Sequence, residues 1–176
     1  MRFTTAGHCF ANSSDTQVEM PSGANVGRRT QWWPGGWDSA NYSVPSAWQQ
    51  QAAITVSSNG NYRQVIGAGN PANGSQYCFT GRGSVAEGYD EQCNTQSRTY
   101  VSGGKTLYCI ERWTHGGDSG GPVYYIDGNG PDAHARGTMV LDLTIDYLVA
   151  PTEHFACYNR INDIATAGNW SVVLWK

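Results

Sequence analysis

Ser119 sits in Thr114-His115-Gly116-Gly117-Asp118-Ser119-Gly120-Gly121-Pro122-Val123, where four glycines surround one serine and one aspartate. That much glycine is unfavourable inside a helix or strand, because ordering it loses more backbone entropy than ordering any other residue. It belongs where the chain turns tightly or approaches something closely. A turn here would aim the Ser119 hydroxyl outward and direct the N–H groups of Gly117 and Ser119 at one spot beside it. A hydroxyl nucleophile and paired amide donors are two parts of an acyl-transfer site. The competing reading of the same residues is a Gly/Ser/Asp surface turn.

A neutral hydroxyl is a poor nucleophile. It needs a base, and the base needs an acceptor that orients it. The histidine is found in Phe3-Thr4-Thr5-Ala6-Gly7-His8-Cys9. Thr-Ala-Gly-His-Cys and Gly-Asp-Ser-Gly-Gly-Pro together resemble the chymotrypsin-like serine peptidases, most closely the bacterial secreted branch of the streptogrisin and alpha-lytic group. The resemblance runs from Phe3 to Trp175. It implies a triad in the chain order His, Asp, Ser, with His8 as base, Ser119 as nucleophile, and the amides of Gly117 and Ser119 as the oxyanion hole. Asp38 follows His8 by 30 residues, after the Pro34-Gly35-Gly36 turn, and matches the family's orienting aspartate. Asp15 is the rival, but it lies close to His8 along a Ser/Thr-rich loop. Asp38 could instead cap a turn, and His8 could be structural.

The fold implied is all-β: two antiparallel Greek-key β-barrels, with the active site in the cleft between them and a short C-terminal helix. Residues 1–58 would form the first barrel, carrying His8 and Asp38. Residues 59–176 would form the second, carrying Ser119. Only seven residues precede His8, where the family has its opening strands. The first barrel is therefore expected to be incomplete and the chain N-terminally truncated.

Cysteine usage agrees with an oxidising compartment. There are five cysteines in 176 residues. Cys78 and Cys93 bracket a glycine-containing stretch that reads as a disulfide-closed hairpin, and the resemblance implies the same pair. It also implies Cys109–Cys157 by analogy, and leaves Cys9 unpaired because the family's partner for it lies upstream. A native free thiol beside the site is the other explanation of the odd count.

Composition narrows the remaining classes. Net charge is −3, with no Lys/Arg run, so neither nucleic acid nor an anionic membrane is an expected partner. No apolar stretch approaches membrane-spanning length. His115, His134 and His154 are isolated from one another and from the cysteine pairs, so no metal is expected. No phosphate or dinucleotide loop is present, so no cofactor is expected. A lipase elbow would need a helix after the serine, and Pro122 followed by a β-rich run opposes one.

Short strands with turn signals recur from Tyr62 onward, including 64–67, 76–80, 98–101, 105–109 and 122–126. In 138–145, Met139, Leu141, Leu143 and Ile145 share one face at period 2. Residues 11–31 read as loop with at most one weak strand, and 32–42 as a rigid turn opening a strand. Residues 45–61 read as the connection between barrels. Residues 158–167 have helical spacing with Gly168 as a stop, and 171–175 read as a last strand.

Three stretches depart from the family. Asp118 needs a partner if buried; Phe79 stands where the bacterial branch has arginine, and Arg82 is the expected substitute. The run Cys109–Thr114 into the serine motif is longer than usual. The substrate-pairing strand at 138–142 is bulky. Trp113, Thr114, Val140 and Leu141 are the expected substrate-pocket residues. The function read from the chain is a secreted, monomeric serine endopeptidase acting on polypeptides. The alternative is a catalytically silent member of the fold that binds peptide or, through its tryptophans, polysaccharide.

Overall fold

The computed structural model describes residues 2–10, 17–19, 25–33, 38–44, 52–57, 59–69, 76–95, 97–126, 130–169 and 171. Two sheets carry them. The first is antiparallel with strand order β1-β4-β3-β2, from β1 Arg2–Ala6, β2 Gln17–Glu19, β3 Asn25–Trp33 and β4 Ser39–Ser43. The second contains β5 Ala53–Thr55, β6 Tyr62–Ala68, β7 Gln76–Phe79, β8 Gln92–Asn94, β9 Ser97–Ser102, β10 Lys105–Glu111, β11 Pro122–Ile126, β12 Ala133–Ile145 and β13 Glu153–Arg160. Its main order is β8-β7-β11-β12-β13-β10-β9, and β6 joins β12 with β5 on its far side. The helices are α1 Arg82–Ala86 and α2 Ile161–Gly168.

Several elements differ from the sequence expectation. β3 is a nine-residue strand, across a region read as loop and turn. Its Arg28-Arg29-Thr30-Gln31 run carries no apolar alternation, so periodicity is silent there. Its stabilisation comes from neighbours: the Arg29 guanidinium lies 4.7 Å from the Trp32 ring centroid and 5.0 Å from that of Phe10, within cation–π range. β5 precedes residue 59 yet pairs with β6. The β6–β12 pair is parallel, where an all-antiparallel barrel was expected. Residues 172–175 of the expected last strand lie outside the described residues.

The core of the larger sheet has three clusters. Phe79, Ile110, Val123, Met139, Ala156 and Tyr158 form one. Ile54, Val65, Cys78, Tyr124, Ile126 and Ala133 form another. Leu107, Cys109, Val140, Phe155 and Cys157 join Ala6 of the first sheet in the third, with Leu141, Leu143 and Ile145 packed against it. Met139 and Leu141 therefore serve different clusters. The ladder between β12 and β13 shifts register between them, and a bulge of this kind re-aims side chains along a strand. Both disulfides join directly opposed residues: Cys78–Cys93 across β7 and β8, Cys109–Cys157 across β10 and β13. Helix α2 begins at Ile161 rather than 158, because Tyr158 belongs to β13. Asn169 closes it in the left-handed conformation, at φ 53°, a common helix C-cap.

Tyr158 links this packing to pH. Burial pushes its phenol up from 10.0 to about 12, opposed in part by Arg136, whose Nε donates to the phenol oxygen at 3.2 Å. A group with a raised folded pKa contributes stability that is fully present below pH 10.0, its unfolded value, and is lost as pH climbs toward 12. The expected loss across that window is about 2–3 kcal/mol. Thermal unfolding measured through the window should show the decline, and Tyr158→Phe should lessen it.

Candidate active site

The β1–β4 ladder ends at the pair Ala6↔Ser39. Just past that pair the chain continues on one side into the 3₁₀ turn Gly7–Cys9, and on the other into Asp38. Strand register alone therefore brings His8 and Asp38 together. The Gly7 N–H donates to the Asp38 carbonyl at 2.7 Å, and the His8 N–H donates to Asp38 Oδ1 at 2.7 Å. His8 Nδ1 bonds Asp38 Oδ2. A Cβ at position 7 would fall 2.9 Å from Asp38 Oδ1 and 2.9 Å from Ser39 N, so glycine is what lets the carboxylate approach. Asp38 itself has φ 43°, a left-handed conformation that Asp tolerates better than most residues. The carboxylate accepts the Nδ1 proton, which leaves Nε2 as the ring's basic nitrogen.

Ser119 comes from the other sheet. The turn before β11 places Asp118 in the interior and leaves Ser119 partly exposed. The His115 N–H goes to the Asp118 carboxylate, and three more of the turn's amides are used within the fold. Asp118 N–H donates to His115 O at 3.0 Å, Gly120 N–H to Met139 O at 2.8 Å, and Gly121 N–H to Asp118 O at 2.9 Å. The N–H groups of Gly116, Gly117 and Ser119 have no acceptor among the described residues. Two of these are the expected oxyanion donors. The Ser119 hydroxyl likewise has no partner among the described residues. Catalytic hydrogen bonds are commonly long before substrate binds.

Among the described residues, three polar side-chain contacts join the two sheets. Thr4 Oγ1 and Thr138 Oγ1 lie 2.8 Å apart. Asn159 Nδ2 donates to Ser39 Oγ at 2.8 Å, both residues being buried. Cys9 Sγ lies 3.7 Å from Ser119 O, which brings the His8 segment against the serine turn. Within the first sheet, Trp32 Nε1 of β3 donates to Gly7 O at 3.0 Å. The Thr4–Thr138 and Asn159–Ser39 pairings were not singled out beforehand, because each spans the chain and leaves no local pattern. A cleft of about 1040 Å³ opens between the sheets, with Thr5 and Tyr42 on one side and Gly117, Ser119 and Thr138 on the other; His8 and Asp38 do not line it.

Gly120 shows how closely the sheets meet. Its φ is 87°, and a Cβ there would overlap Thr5 Oγ1 of β1. Gly120→Ala is expected to lower stability by about 1–3 kcal/mol from backbone strain alone. Denaturant midpoints would read this; a variant as stable as the wild type would mean that the turn is not held against β1.

Asp118 is wholly buried, and its carboxylate is held by Ser84 and His115. The expected partner, Arg82, is exposed instead. α1 sets Ser84 against Asp118 and Gly83 against Gly116 and His115, and a long cation is not needed at that distance. Of the expected pocket residues, Trp113 lines a second cleft, of about 600 Å³, together with Tyr89, His115 and His154. The Trp113 and His154 rings stack. Thr114 is half-buried and outside that lining; Val140 is buried, and Leu141, half-buried, packs against the same cluster.

Cys9 is exposed and unpaired in the structure. Among the described residues, Cys78, Glu91 and Cys93 are the one group of three metal-type ligands within mutual reach. The two sulfurs are bonded to each other. Glu91 is engaged by Arg63, at 2.5 and 2.6 Å, and by the Tyr124 hydroxyl.

No family model and no curated protein matches the chain by sequence. Solved structures do. The chain is similar to Thermobifida fusca Protease A at 25% identity and TM-score 0.67, covering 99% of this chain and 85% of that one. It is similar to Cellulomonas bogoriensis chymotrypsin at 21% identity and TM-score 0.69, covering 98% and 85%. Nocardiopsis protease aligns at 24% identity and TM-score 0.65, covering 96% and 82%. These neighbours are bacterial chymotrypsin-like serine proteases. The likeness shows a chymotrypsin-like two-barrel fold, mostly strand, with a short C-terminal helix.

Proposed function

We propose that this chain, which has the fold of the bacterial chymotrypsin-like serine proteases, is a serine endopeptidase working through His8, Asp38 and Ser119. The observation that carries the reading is a conjunction. His8 is fixed by Asp38 at both its backbone and its ring, and its segment rests on a serine turn whose Gly117 and Ser119 amides have no acceptor among the described residues.

His8 Nε2 takes the Ser119 proton as Oγ attacks the scissile carbonyl carbon. The carbonyl oxygen becomes an oxyanion that the Gly117 and Ser119 amides stabilise, each worth about 3 kcal/mol in the transition state. The imidazolium returns its proton to the leaving amine, the C–N bond breaks, and an acyl-enzyme remains. Water, deprotonated by His8, then releases the acid. Asp38 holds the tautomer and stabilises the imidazolium. The cleft around Trp113, His115 and His154 is the place for the residue on the acyl side of the cut. Residues 1–58 supply base and orienter, and 59–176 supply nucleophile and oxyanion hole. Two disulfides suit an extracellular setting, and the protein is expected to act as a monomer.

The test is incubation with an unfolded polypeptide. New termini should form, and prior treatment with an organofluorophosphonate should prevent them. Retention on insoluble polysaccharide with no cleavage of any peptide would favour the binding role instead.

A further inference from the structure

We infer that a hydroxyl relay, Gln92 to Ser84 to Asp118, holds the oxyanion turn in place, and that Ser84 is a positioning residue for Ser119. The inference rests on the reading of Ser119 as nucleophile. It concerns how a buried carboxylate is satisfied without a cation.

Asp118 and Ser84 are both fully buried. A buried carboxylate is tolerated only when its lone pairs are well matched. Asp118 Oδ1 accepts the Ser84 N–H at 2.7 Å. Oδ2 accepts the Ser84 hydroxyl at 2.5 Å and the His115 N–H at 2.9 Å. Among the described residues no cation lies within ion-pair distance of it. Ser84 thus supplies two of three donors. Gln92 Nε2 donates to Ser84 Oγ at 2.9 Å. With its lone pair so occupied, the hydroxyl proton is directed to Asp118.

The carboxylate in turn fixes the turn. Asp118 Oδ2 takes the His115 N–H while the Asp118 N–H goes to His115 O. This reciprocal pair closes a ring around Gly116 and Gly117. The platform beneath is built without side chains. A Cβ on Gly81 would fall 2.6 Å from Asp118 Cα, and one on Gly83 would fall 3.0 Å from His115 Cβ. The α1 segment and the serine turn therefore move as one body, and Ser84 is the polar tie between them.

The test uses Ser84→Ala, Ser84→Cys and Gln92→Ala in the full chain. Four quantities are measured: thermal midpoint, amide exchange at His115, and the inactivation rate constant and apparent affinity for a fluorophosphonate. Ser84→Ala should slow the inactivation step about ten- to a hundredfold, since misplacement by 1 Å costs up to about a hundredfold, with apparent affinity nearly unchanged. Exchange at His115 should quicken at least about tenfold by the same loosening. Ser84→Cys, which keeps a weak donor, should recover part of both. If Ser84→Ala does not fold, Gln92→Ala, altered only at the outer hydrogen bond, should still slow inactivation severalfold.

A folded Ser84→Ala chain, or Gln92→Ala where that one does not fold, with wild-type inactivation and wild-type exchange overturns the relay while leaving the peptidase reading intact. Faster exchange at His115 in variants of a wild type that is never modified upholds the relay and overturns the peptidase reading instead.

Discussion

His8→Ala is expected to lower peptide hydrolysis by on the order of 10⁶-fold, the scale seen when a triad loses its base. The loss is chemical, because the side chain of His8 is 50% exposed. Its removal opens no cavity, and the fold should persist by circular dichroism. Ser119→Ala should cost about as much, and the double variant little more, because a nucleophile without its base gains nothing from being present. Turnover of a peptide ester by the wild type, both single variants and the double variant checks this. Additive losses would mean that the two residues do not act as a unit.

Asp38→Asn is expected to lower turnover about 10⁴-fold near neutral pH. The argument lies in the two acceptor oxygens. Asp38 Oδ1 takes the His8 backbone N–H and Oδ2 faces the ring Nδ1. Asparagine has one acceptor and one donor. With its oxygen on the backbone amide, its NH₂ faces Nδ1 and forces the proton onto Nε2, where it blocks uptake of the Ser119 proton. With the amide reversed, NH₂ meets N–H. Asparagine still tolerates the left-handed backbone at φ 43°, so the turn itself should survive. Turnover measured against pH, beside an unfolding curve, separates the effects. Activity within tenfold of wild type would show that Asp38 does not orient His8.

The glycine-rich serine turn and the histidine segment stood out because close backbone approaches concentrate glycine in short stretches. A side chain is costly where Asp38 abuts Gly7 or where β1 abuts Gly120, so those positions announce themselves. Cys78–Cys93 was legible for a similar reason: it closes a local hairpin. Long-range polarity was not legible. β3 owes its existence to pairing with β4 and to Arg29 over aromatic rings, and its own residues alternate weakly. Asp118 was expected to need a cationic or hydrogen-bonding partner, and Arg82 was named because the resemblance puts an arginine nearby. The actual partner is a serine two residues beyond Arg82, chosen by the packing of α1. Val140 and Leu141 were read as pocket residues from the family's substrate-pairing strand; beside the bulge Val140 is buried, and Leu141, partly buried, packs against the same cluster. The meeting of His8 and Asp38 is the converse case. A separation of 30 residues says nothing about distance, yet the last rung of the β1–β4 ladder sets it.

The central claim is that one serine in this chain is activated by one histidine. It is tested most directly by reaction of the intact protein with a fluorophosphonate, followed by peptide mapping of the adduct. The account predicts a single modified residue, Ser119, and no adduct in the His8→Ala variant under the same conditions. A folded wild-type chain left unmodified, or modified equally with and without His8, would contradict it.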